Sequence, residues 1–237
     1  MGYLPIFLAM EGRRCVVIGG GVIATRKVAQ LVAAGAQVTI VSPALTPALE
    51  KMAAAASIEW RARNWITSDL DGFALAFAAT DDPAVHREAR AKARSLGVLI
   101  NIADEPEGCD FIAPAVVHRG DLQIAVSTSG ASPAMAARIR RELEAQFGWE
   151  HAAALRVMRA ARKYLRANDA DLASRAKRLA RLAESDLASK ILDGDRTAIE
   201  RLLREVLGAG LDDLAGDSQL LPEDWLRDAP PFAVRGG

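Results

Sequence analysis

The chain contains only two cysteines, Cys15 and Cys109, among its 237 residues. Two cysteines cannot build the disulfide framework that stabilises many small secreted domains. A chain of this length buries enough surface to fold without such cross-links. Both cysteines are therefore predicted to be reduced thiols, and the protein is predicted to be cytoplasmic.

The chain also lacks a net charge, since 30 basic and 30 acidic side chains balance. Nucleic-acid-binding domains usually carry a basic excess, so no nucleic-acid partner is expected. The balance is uneven along the chain, because residues 138–204 carry 16 basic and 10 acidic side chains. This segment has the charge to meet an anionic ligand.

A clean hydrophobic run of membrane-spanning length is missing as well. The longest uncharged run, residues 28–49, is long enough to cross a bilayer, but Gly35, Ser42 and Pro43 interrupt it. The run is therefore predicted to form a helix, a turn and a strand, and no membrane partner is expected.

Short apolar runs alternate with helical segments over the first hundred residues. Strands are predicted at 15–18, 38–41, 58–60, 74–79 and 98–102, and helices at 22–34, 47–56 and 83–96. This alternation is typical of βαβ units. It predicts an α/β fold that begins with a Rossmann-like parallel sheet.

The pattern changes after residue 104. Two β-like runs, 111–118 and 122–127, flank Gly120 and predict a hairpin. A helical C-terminal region is predicted over 134–207, with breaks near Asn168 and Gly194. The stretch 208–237 is acidic and rich in glycine and proline, which predicts a partly disordered tail.

The strongest local motif is a glycine-rich turn between the first strand and the first helix. Gly19, Gly21 and Ala24 fit the pattern G-x-G-x-x-A. In this pattern one glycine makes the tight turn, the second lets the backbone approach a pyrophosphate, and the small third residue lets helix and strand pack. Val22 and Ile23 open the helix, whose N–H groups would face the phosphates. The motif predicts dinucleotide binding; the alternative is a glycine-rich turn without a ligand.

The second half of that fingerprint is absent. An NAD site usually has an acidic residue at the end of the second strand, where it holds the ribose hydroxyls. Ser42, Pro43 and Ala44 stand there instead. A contact from the backbone or from the Ser42 hydroxyl remains open, as does the choice between NAD and NADP.

Polar residues follow the fourth and fifth predicted strands. Thr80, Asp81 and Asp82 come after one, and Asp104 follows the other. Open α/β sheets bind ligands at this edge, so Asp104 is a candidate general base or metal contact. The alternatives are a solvated turn for Asp104 and helix capping for Asp81 and Asp82.

A loop rich in hydroxyl groups precedes a predicted helix in the next region. Ser127, Thr128, Ser129 and Ser132 supply hydroxyls there, and Arg138 follows on the helix. Backbone and hydroxyl donors at a helix N-terminus can bind a carboxylate or a phosphate. The alternative is a polar loop that caps the helix beside a solvated basic face.

The three histidines fall in different elements, and no pair has metal-ligand spacing. His86, His118 and His151 are each predicted to be structural or exposed, and no metal site is predicted. Tyr164 has Asn168 four residues later, so the Tyr-x-x-x-Lys pair of short-chain dehydrogenases is missing.

Several of these segments together resemble one known family. The matching stretches, in order, are Leu4-Pro5-Ile6-Phe7, Val17-Ile18-Gly19-Gly20-Gly21 with Ala24 and Arg26-Lys27, Ala78-Ala79-Thr80-Asp81-Asp82, Asn101-Ile102-Ala103-Asp104, Phe111-Ile112-Ala113-Pro114 and Ala125 to Pro133. In this order the chain resembles the dehydrogenase/ferrochelatase module of siroheme synthase, the precorrin-2 dehydrogenase family, over residues 3–148.

The resemblance implies an organisation in three parts, which the tail predicted from composition follows. These are an NAD-binding Rossmann domain at 1–112, a small β/α dimerisation and substrate-binding region at 113–148, and a helical domain at 149–207. The tail covers 208–237. A homodimer is implied as well.

The resemblance also implies a reaction, the NAD-dependent oxidation of the tetrapyrrole precorrin-2 to sirohydrochlorin. In many members insertion of Fe²⁺ follows, with the metal bound only transiently. The family's catalytic aspartate corresponds to Asp104, and its NAD contacts correspond to Val22, Ile23, Pro43 and Ala44, beside Gly19 and Gly21.

Two other functions stay open at this point. A dehydrogenase without chelatase activity would carry the same motifs. A non-catalytic Rossmann module that senses NAD would share the glycine-rich turn, but it would need neither Asp104 nor the hydroxyl loop.

Overall fold

The structure is a computed structural model that describes residues 2–215 and residue 221. It divides into two compact units, of which the first ends at Ala113 and the second begins at Pro114. The first is an α/β unit with a parallel sheet, and the second combines a small hairpin with helices. The predicted fold class is therefore confirmed.

A five-stranded parallel sheet forms the centre of the first unit. Its strands are β1 (Arg14–Ile18), β2 (Gln37–Val41), β3 (Glu59–Arg61), β4 (Leu75–Ala78) and β5 (Leu99–Ile102). They lie in the order β3-β2-β1-β4-β5, and each neighbouring pair is parallel. The connecting helices are α1 (Val22–Ala33), α2 (Pro47–Ala54) and α3 (Pro83–Leu96). All the predicted elements of this unit are found, with small shifts at their ends.

Both faces of the sheet are covered, because its central strands carry apolar side chains on both sides. In β1, Cys15 and Val17 belong to one layer of the core, whereas Val16 and Ile18 belong to the other. Helices α1 and α2 contribute to the first layer, and α3 contributes to the second. The sheet is thus a rigid support for the loops at its edge.

The strand order reverses between β1 and β4. The chain winds from β1 outward to β2 and β3, then returns to add β4 and β5 on the other side. In open parallel sheets, ligands bind outside the carboxyl ends of the strands at such a reversal. The loops after β1, β2, β4 and β5 are therefore placed to form one site.

Helix α3 begins and ends as its sequence predicts. The Asp82 side chain accepts a hydrogen bond from the Ala84 N–H at 2.8 Å, Pro83 takes the first helical position, and Gly97 ends the helix with a φ of 69°. The capping alternative is thereby confirmed for Asp82.

A short 3-10 helix, Thr67–Leu70, places Asp69 beside two arginines. The buried Asp69 carboxylate accepts hydrogen bonds from Arg61 at 2.8 Å, from Arg63 at 2.6 and 2.7 Å, and from the Ile66 N–H at 3.0 Å. Burial alone would raise the pKa of Asp69, but the hydrogen bonds from Arg63, Ile66 and Arg61 outweigh it and lower the pKa to about 2.

The second unit opens with the predicted hairpin of β6 (Ala115–Arg119) and β7 (Leu122–Val126), which are antiparallel. Gly120 adopts a φ of 58° in the turn between them. Strand β6 begins later than predicted, because Phe111 belongs to the first unit. Its carbonyl accepts a hydrogen bond from the Asn101 side chain at 2.9 Å, and its ring packs edge-on against Phe77.

The helices of the second unit are α4 (Pro133–Gln146), α5 (Trp149–Asn168), α6 (Leu172–Ala183), α7 (Leu187–Leu192), α8 (Arg196–Leu207) and α9 (Leu211–Ala215). The predicted breaks near Asn168 and Gly194 are confirmed, and two more precede α5 and α7, where Gly148 and Asp186 occupy the N-cap positions. Across the part of the chain that the structure describes, no helix has both the length and the apolar character of a membrane span.

Part of the predicted tail is ordered. Gly208 ends α8 with a φ of 70°, after which Leu211 and Leu214 of α9 are buried in the core of the second unit. The Leu211 N–H also donates to Glu200 at 2.8 Å. Burial of these leucines therefore extends the folded unit beyond residue 207. The rest of the predicted tail, except residue 221, lies outside the described residues.

Candidate active site

The glycine-rich turn after β1 has the geometry that its motif predicts. Gly19 has a φ of 111°, and a Cβ there would lie 2.2 Å from the Ala79 carbonyl oxygen, so only glycine fits. A Cβ on Gly21 would meet open space. Ala24 is fully buried between α1 and the sheet. Gly19 therefore makes the turn, Gly21 leaves space for a ligand, and Ala24 lets the helix pack against the sheet.

The first turn of α1 has free donors beside that open space. Gly21 is the N-cap residue and makes no side-chain cap, and the first helical hydrogen bond runs from Thr25 N–H to Gly21 O at 2.9 Å. The first turn has no acidic side chain, and Val22 is 80% exposed. Unpaired N–H groups and the positive end of the helix dipole favour a phosphate here. These residues fit the pyrophosphate of a dinucleotide.

The loop after β2 lies against this turn. A Cβ on Gly20 would lie 2.0 Å from the Ala44 carbonyl oxygen, so the two backbones touch. The buried Ser42 hydroxyl donates to the same carbonyl at 2.7 Å, and Trp60 Nε1 donates to the Ser42 carbonyl at 2.9 Å. Pro43 is exposed, as is Ala44. The loop therefore offers an uncharged surface next to the glycines.

The loop after β4 lies on the other side of β1. The Ala79 N–H donates to the Ile18 carbonyl at 2.8 Å, which brings Thr80 alongside the glycine-rich turn. Thr80 is half-buried and Asp81 is exposed. The predicted cofactor residues of the first unit thus follow three neighbouring strands at one sheet edge.

Asp104 follows β5 at the same edge. The Ala103 N–H donates to the Ala78 carbonyl at 2.8 Å, which extends the pairing of β5 with β4 past the end of the strand. Asp104 is exposed and has a φ of 59°, a left-handed conformation that aspartate tolerates better than most residues. The structure therefore places this carboxylate two strands from the glycine-rich turn.

The loop that carries Asp104 is held by residues that the sequence did not single out for this role. The buried His86 ring joins Glu105 Oε1 through Nδ1 and the Thr80 carbonyl through Nε2, both at 2.8 Å. The Cys109 thiol lies 3.2 Å from the Ile102 carbonyl and 3.3 Å from the Glu105 carbonyl. No spacing rule in the sequence links these residues, because they meet only when α3 packs beside β5.

Two perturbed groups border this edge. Burial raises the pKa of the Cys109 thiol, so the thiol stays protonated near neutral pH. Burial, and then the neighbouring Arg26, lower the pKa of Lys27. The Lys27 ammonium lies 5.2 Å from the centre of the Phe77 ring. Lys27 is therefore a half-buried basic side chain of α1 that lies beside Phe77.

The hydroxyl loop of the second unit is largely paired within itself. Thr128 Oγ1 accepts from the Ser132 N–H at 3.1 Å, Ser127 Oγ accepts from the Ser129 N–H at 3.0 Å, and Ser132 Oγ accepts from the Met135 N–H at 3.1 Å. Ser129 has a φ of 52°. These contacts cap α4 and fix the loop.

Arg138 lies on α4, nearly two turns beyond that cap. Its guanidinium donates to Glu142 at 2.8 Å, and both side chains are more than half exposed. Exposed pairs of this kind hold their partners weakly. Arg138 therefore remains able to exchange Glu142 for another carboxylate.

Family models match the chain in two consecutive parts. An NAD(P)-binding model covers residues 6–115, and a sirohaem biosynthesis protein central model covers residues 119–146. The chain is 34% identical to a siroheme synthase of Chromobacterium violaceum, over 91% of this chain and 46% of that one. It is 44% identical to a siroheme synthase of Methylobacillus flagellatus, over 61% and 31%. Over residues 6–146 the chain is therefore similar to siroheme synthases. The predicted resemblance and the NAD(P)-type cofactor are confirmed.

A solved structure shares the fold. SirC, described as a precorrin-2 dehydrogenase, superposes with a TM-score of 0.74 at 22% identity, over 87% of this chain and 100% of that one. The chain spans less than half the length of the siroheme synthases it matches. The comparisons thus give a similarity to siroheme synthases and a shared fold.

Proposed function

We propose that this chain oxidises precorrin-2 to sirohydrochlorin, with NAD⁺ as the hydride acceptor. One observation carries the proposal: an exposed aspartate, Asp104, lies at the same sheet edge as the glycine-rich dinucleotide turn. The family and the fold shared with a precorrin-2 dehydrogenase supply the substrate class.

The cofactor would be held mainly by backbone. Gly19 makes the turn, Gly21 leaves room for the pyrophosphate, and the N–H groups of Val22, Ile23 and Ala24 would face it. Ser42, Pro43 and Ala44 would border the adenosine ribose, and Thr80 with Asp81 would border the other half of the dinucleotide. When bound, NAD⁺ supplies the acceptor for a hydride from the substrate.

Asp104 is proposed as the base of the reaction. Removal of a hydride from a carbon of the macrocycle leaves a cation, which becomes neutral when it loses a proton. An exposed carboxylate on a short, well-anchored loop can accept that proton at Oδ1 or Oδ2 without a large rearrangement. Among the described residues, no three His, Cys, Asp or Glu side chains form a metal-binding group.

The second unit is proposed to recognise the carboxylate groups of the tetrapyrrole. In the loop of Ser127, Thr128, Ser129 and Ser132, the Ser127 and Ser132 hydroxyls accept hydrogen bonds within the loop and keep their own protons for a carboxylate, and Arg138 adds a guanidinium. Charge-assisted hydrogen bonds to carboxylates are about twice as strong as neutral ones.

The same region is proposed to form a homodimer. In the described residues its sheet has two strands, β6 and β7, which pack against α4 and α5, and each strand keeps an outer edge with which a strand of a second copy could pair. A second copy would cover this sheet. The division into regions 113–148 and 149–207 and the cytoplasmic location stay predictions of the sequence.

The proposal is tested with purified protein, NAD⁺ and precorrin-2 generated in the same cuvette without oxygen or added metal. Appearance of the sirohydrochlorin spectrum with an equal amount of NADH is expected. Asp104→Ala should lose turnover but keep NAD⁺ binding, whereas Glu107→Ala, a change in the same loop, should keep both. A flat spectrum with normal NAD⁺ binding would instead indicate a nucleotide-sensing module.

Iron insertion is decided by a second addition to the same cuvette. Fe²⁺ should convert the sirohydrochlorin spectrum to that of siroheme faster than a protein-free blank if the chain is also a chelatase. An unchanged rate would identify a dehydrogenase without chelatase activity.

A further inference from the structure

A buried histidine, His86, links the loop that follows β4 to the loop that follows β5 at the candidate site. His86 is 6% exposed, and each ring nitrogen lies 2.8 Å from an oxygen: Nε2 from the Thr80 carbonyl and Nδ1 from Glu105 Oε1. Thr80 follows β4 and Glu105 immediately follows Asp104. One ring therefore connects the cofactor side of the edge to the loop of the proposed base.

The chemistry of the two contacts fixes the ring. A carbonyl oxygen only accepts, so Nε2 must carry a proton for Thr80. Nδ1 then faces a carboxylate oxygen, and one further proton must lie between Nδ1 and Oε1. The ring cannot flip without losing both hydrogen bonds, and a buried polar atom that loses its partner destabilises the fold.

Backbone contacts also hold the Asp104 loop: the Glu105 carbonyl accepts from the Cys109 thiol at 3.3 Å and from the Gly108 N–H at 2.9 Å, and the Glu107 carbonyl accepts from Arg90 at 2.8 Å. Towards the sheet, the Ala103 N–H bonds to the Ala78 carbonyl and the Cys109 thiol bonds to the Ile102 backbone. Asp104 itself is in the left-handed region, a conformation that persists when its surroundings over-determine it. The contact of Glu105 with His86 anchors the residue directly after this strained position.

We propose that His86, acting through Glu105, is a positioning residue that holds Asp104 at the distance from the cofactor edge that proton removal requires. This role rests on the proposed function of Asp104. His86 itself is too buried to touch substrate, so it is not a catalytic residue.

Variants of Glu105 and of His86 distinguish the link to the Asp104 loop from the contact with Thr80. Glu105→Ala removes the link to the Asp104 loop but leaves Nε2 on the Thr80 carbonyl. Misplacement of a reacting group by about 1 Å costs on the order of a hundredfold in rate. Glu105→Ala should therefore lower kcat by about ten- to a hundredfold and leave the Kd for NAD⁺ unchanged, while the Tm falls by a few degrees because the buried His86 Nδ1 loses its partner. His86→Ala should lower kcat at least as much and also weaken NAD⁺ binding.

The conservative variant distinguishes positioning from charge. In Glu105→Gln the amide N–H₂ can donate to Nδ1 of a neutral His86, while Nε2–H still donates to Thr80. The tether is kept and the carboxylate is lost, so kcat should stay within a few-fold of wild type. If Glu105→Gln loses as much activity as Glu105→Ala, the carboxylate charge acts directly and the positioning role is wrong.

The matched control is Glu107→Ala. Glu107 is an exposed carboxylate of the same loop, and only its backbone carbonyl is bonded, to Arg90 Nη2 at 2.8 Å. This variant should behave as wild type in kcat, NAD⁺ binding and Tm. A loss equal to that of Glu105→Ala would show that any charge removed from the loop is harmful, and would overturn the specific link to His86.

Amide hydrogen exchange tests the link without turnover. In Glu105→Ala, exchange over residues 103–108 should become faster, with little change in the central strands; Glu105→Gln and Glu107→Ala should leave it unchanged. If wild type fails to oxidise precorrin-2 but the exchange pattern holds, the proposed function is wrong and the tether stands. If exchange in Glu105→Ala equals wild type, the tether is wrong whatever the activity.

Discussion

The three consecutive glycines after β1 should affect stability and NAD⁺ binding differently when each is replaced by alanine. Gly21 has a φ of −83°, and its Cβ would enter open space, so Gly21→Ala is compatible with the fold. Substitutions of this kind stabilise a protein by about 0.4–1 kcal/mol through the unfolded chain. Alanine is a poorer N-cap residue than glycine, which offsets this gain, so the free energy of unfolding should stay within about 1 kcal/mol of wild type.

Gly21→Ala should, in contrast, weaken NAD⁺ binding. The space that the new methyl group fills is where the backbone must approach the pyrophosphate. Loss of one hydrogen bond to a charged group costs about 1.5–3 kcal/mol, which corresponds to a Kd for NAD⁺ that is roughly ten- to a hundredfold higher. Binding is measured by titration calorimetry and stability by urea unfolding followed by circular dichroism.

Gly19→Ala and Gly20→Ala are the matched comparison. The first places an L-residue at a φ of 111° with its Cβ 2.2 Å from the Ala79 carbonyl oxygen, and the second drives a Cβ to 2.0 Å from the Ala44 carbonyl oxygen. Backbone strain of about 1–3 kcal/mol and overpacking of about 1–3 kcal/mol should destabilise the first unit. If Gly21→Ala binds NAD⁺ like wild type, or loses as much stability as Gly19→Ala, the division of roles among these glycines is refuted.

Two further predictions follow from perturbed pKa values. Asp69→Asn should cost about 1.5–3 kcal/mol of stability, because the buried carboxylate loses charge-assisted hydrogen bonds from two arginines that are themselves partly exposed. Since folding lowers the pKa of Asp69 from 3.8 to about 2, its stabilisation is present above pH 3.8 and is lost as pH falls towards 2; urea unfolding at several pH values should show this loss in wild type and not in the variant. Burial raises the pKa of both thiols, that of Cys15 to about 11, so both should react slowly with DTNB near neutral pH until urea unfolds the chain. Rapid reaction of either thiol in the folded protein would contradict its burial.

The sheet and its edge could be predicted from sequence because the signals there are local. Each strand is a short apolar run bounded by glycine, proline or polar residues, and Asp82, Pro83 and Gly97 mark both ends of α3. Once the strands are known to be parallel, all their carboxyl ends meet at one edge. Placing Gly19 and Asp104 there needs no knowledge of side-chain packing.

The contacts that hold this edge could not be predicted in the same way. His86 meets Glu105 only because α3 packs beside β5, and no short motif encodes that meeting. Asp69 joins Arg61 and Arg63 through a 3-10 helix whose sequence has no periodic pattern. In the second unit, alanine, leucine and arginine favour helix throughout, so its extra breaks depend on which side chains become buried.

The loop after β2 determines how strongly the protein distinguishes NAD⁺ from NADP⁺. An acidic residue there would repel a 2′-phosphate, but Pro43 and Ala44 are exposed and uncharged, and the Ser42 hydroxyl is bonded to the Ala44 carbonyl. The carbonyl of the neighbouring Arg61 accepts a hydrogen bond from the Ser42 N–H. The Arg61 guanidinium, however, is bonded to Asp69. A 2′-phosphate is therefore neither strongly repelled nor paired. The Kd values for the two cofactors should differ by no more than about tenfold, or 1.4 kcal/mol. Discrimination of a hundredfold or more would require a charged contact that this loop does not offer.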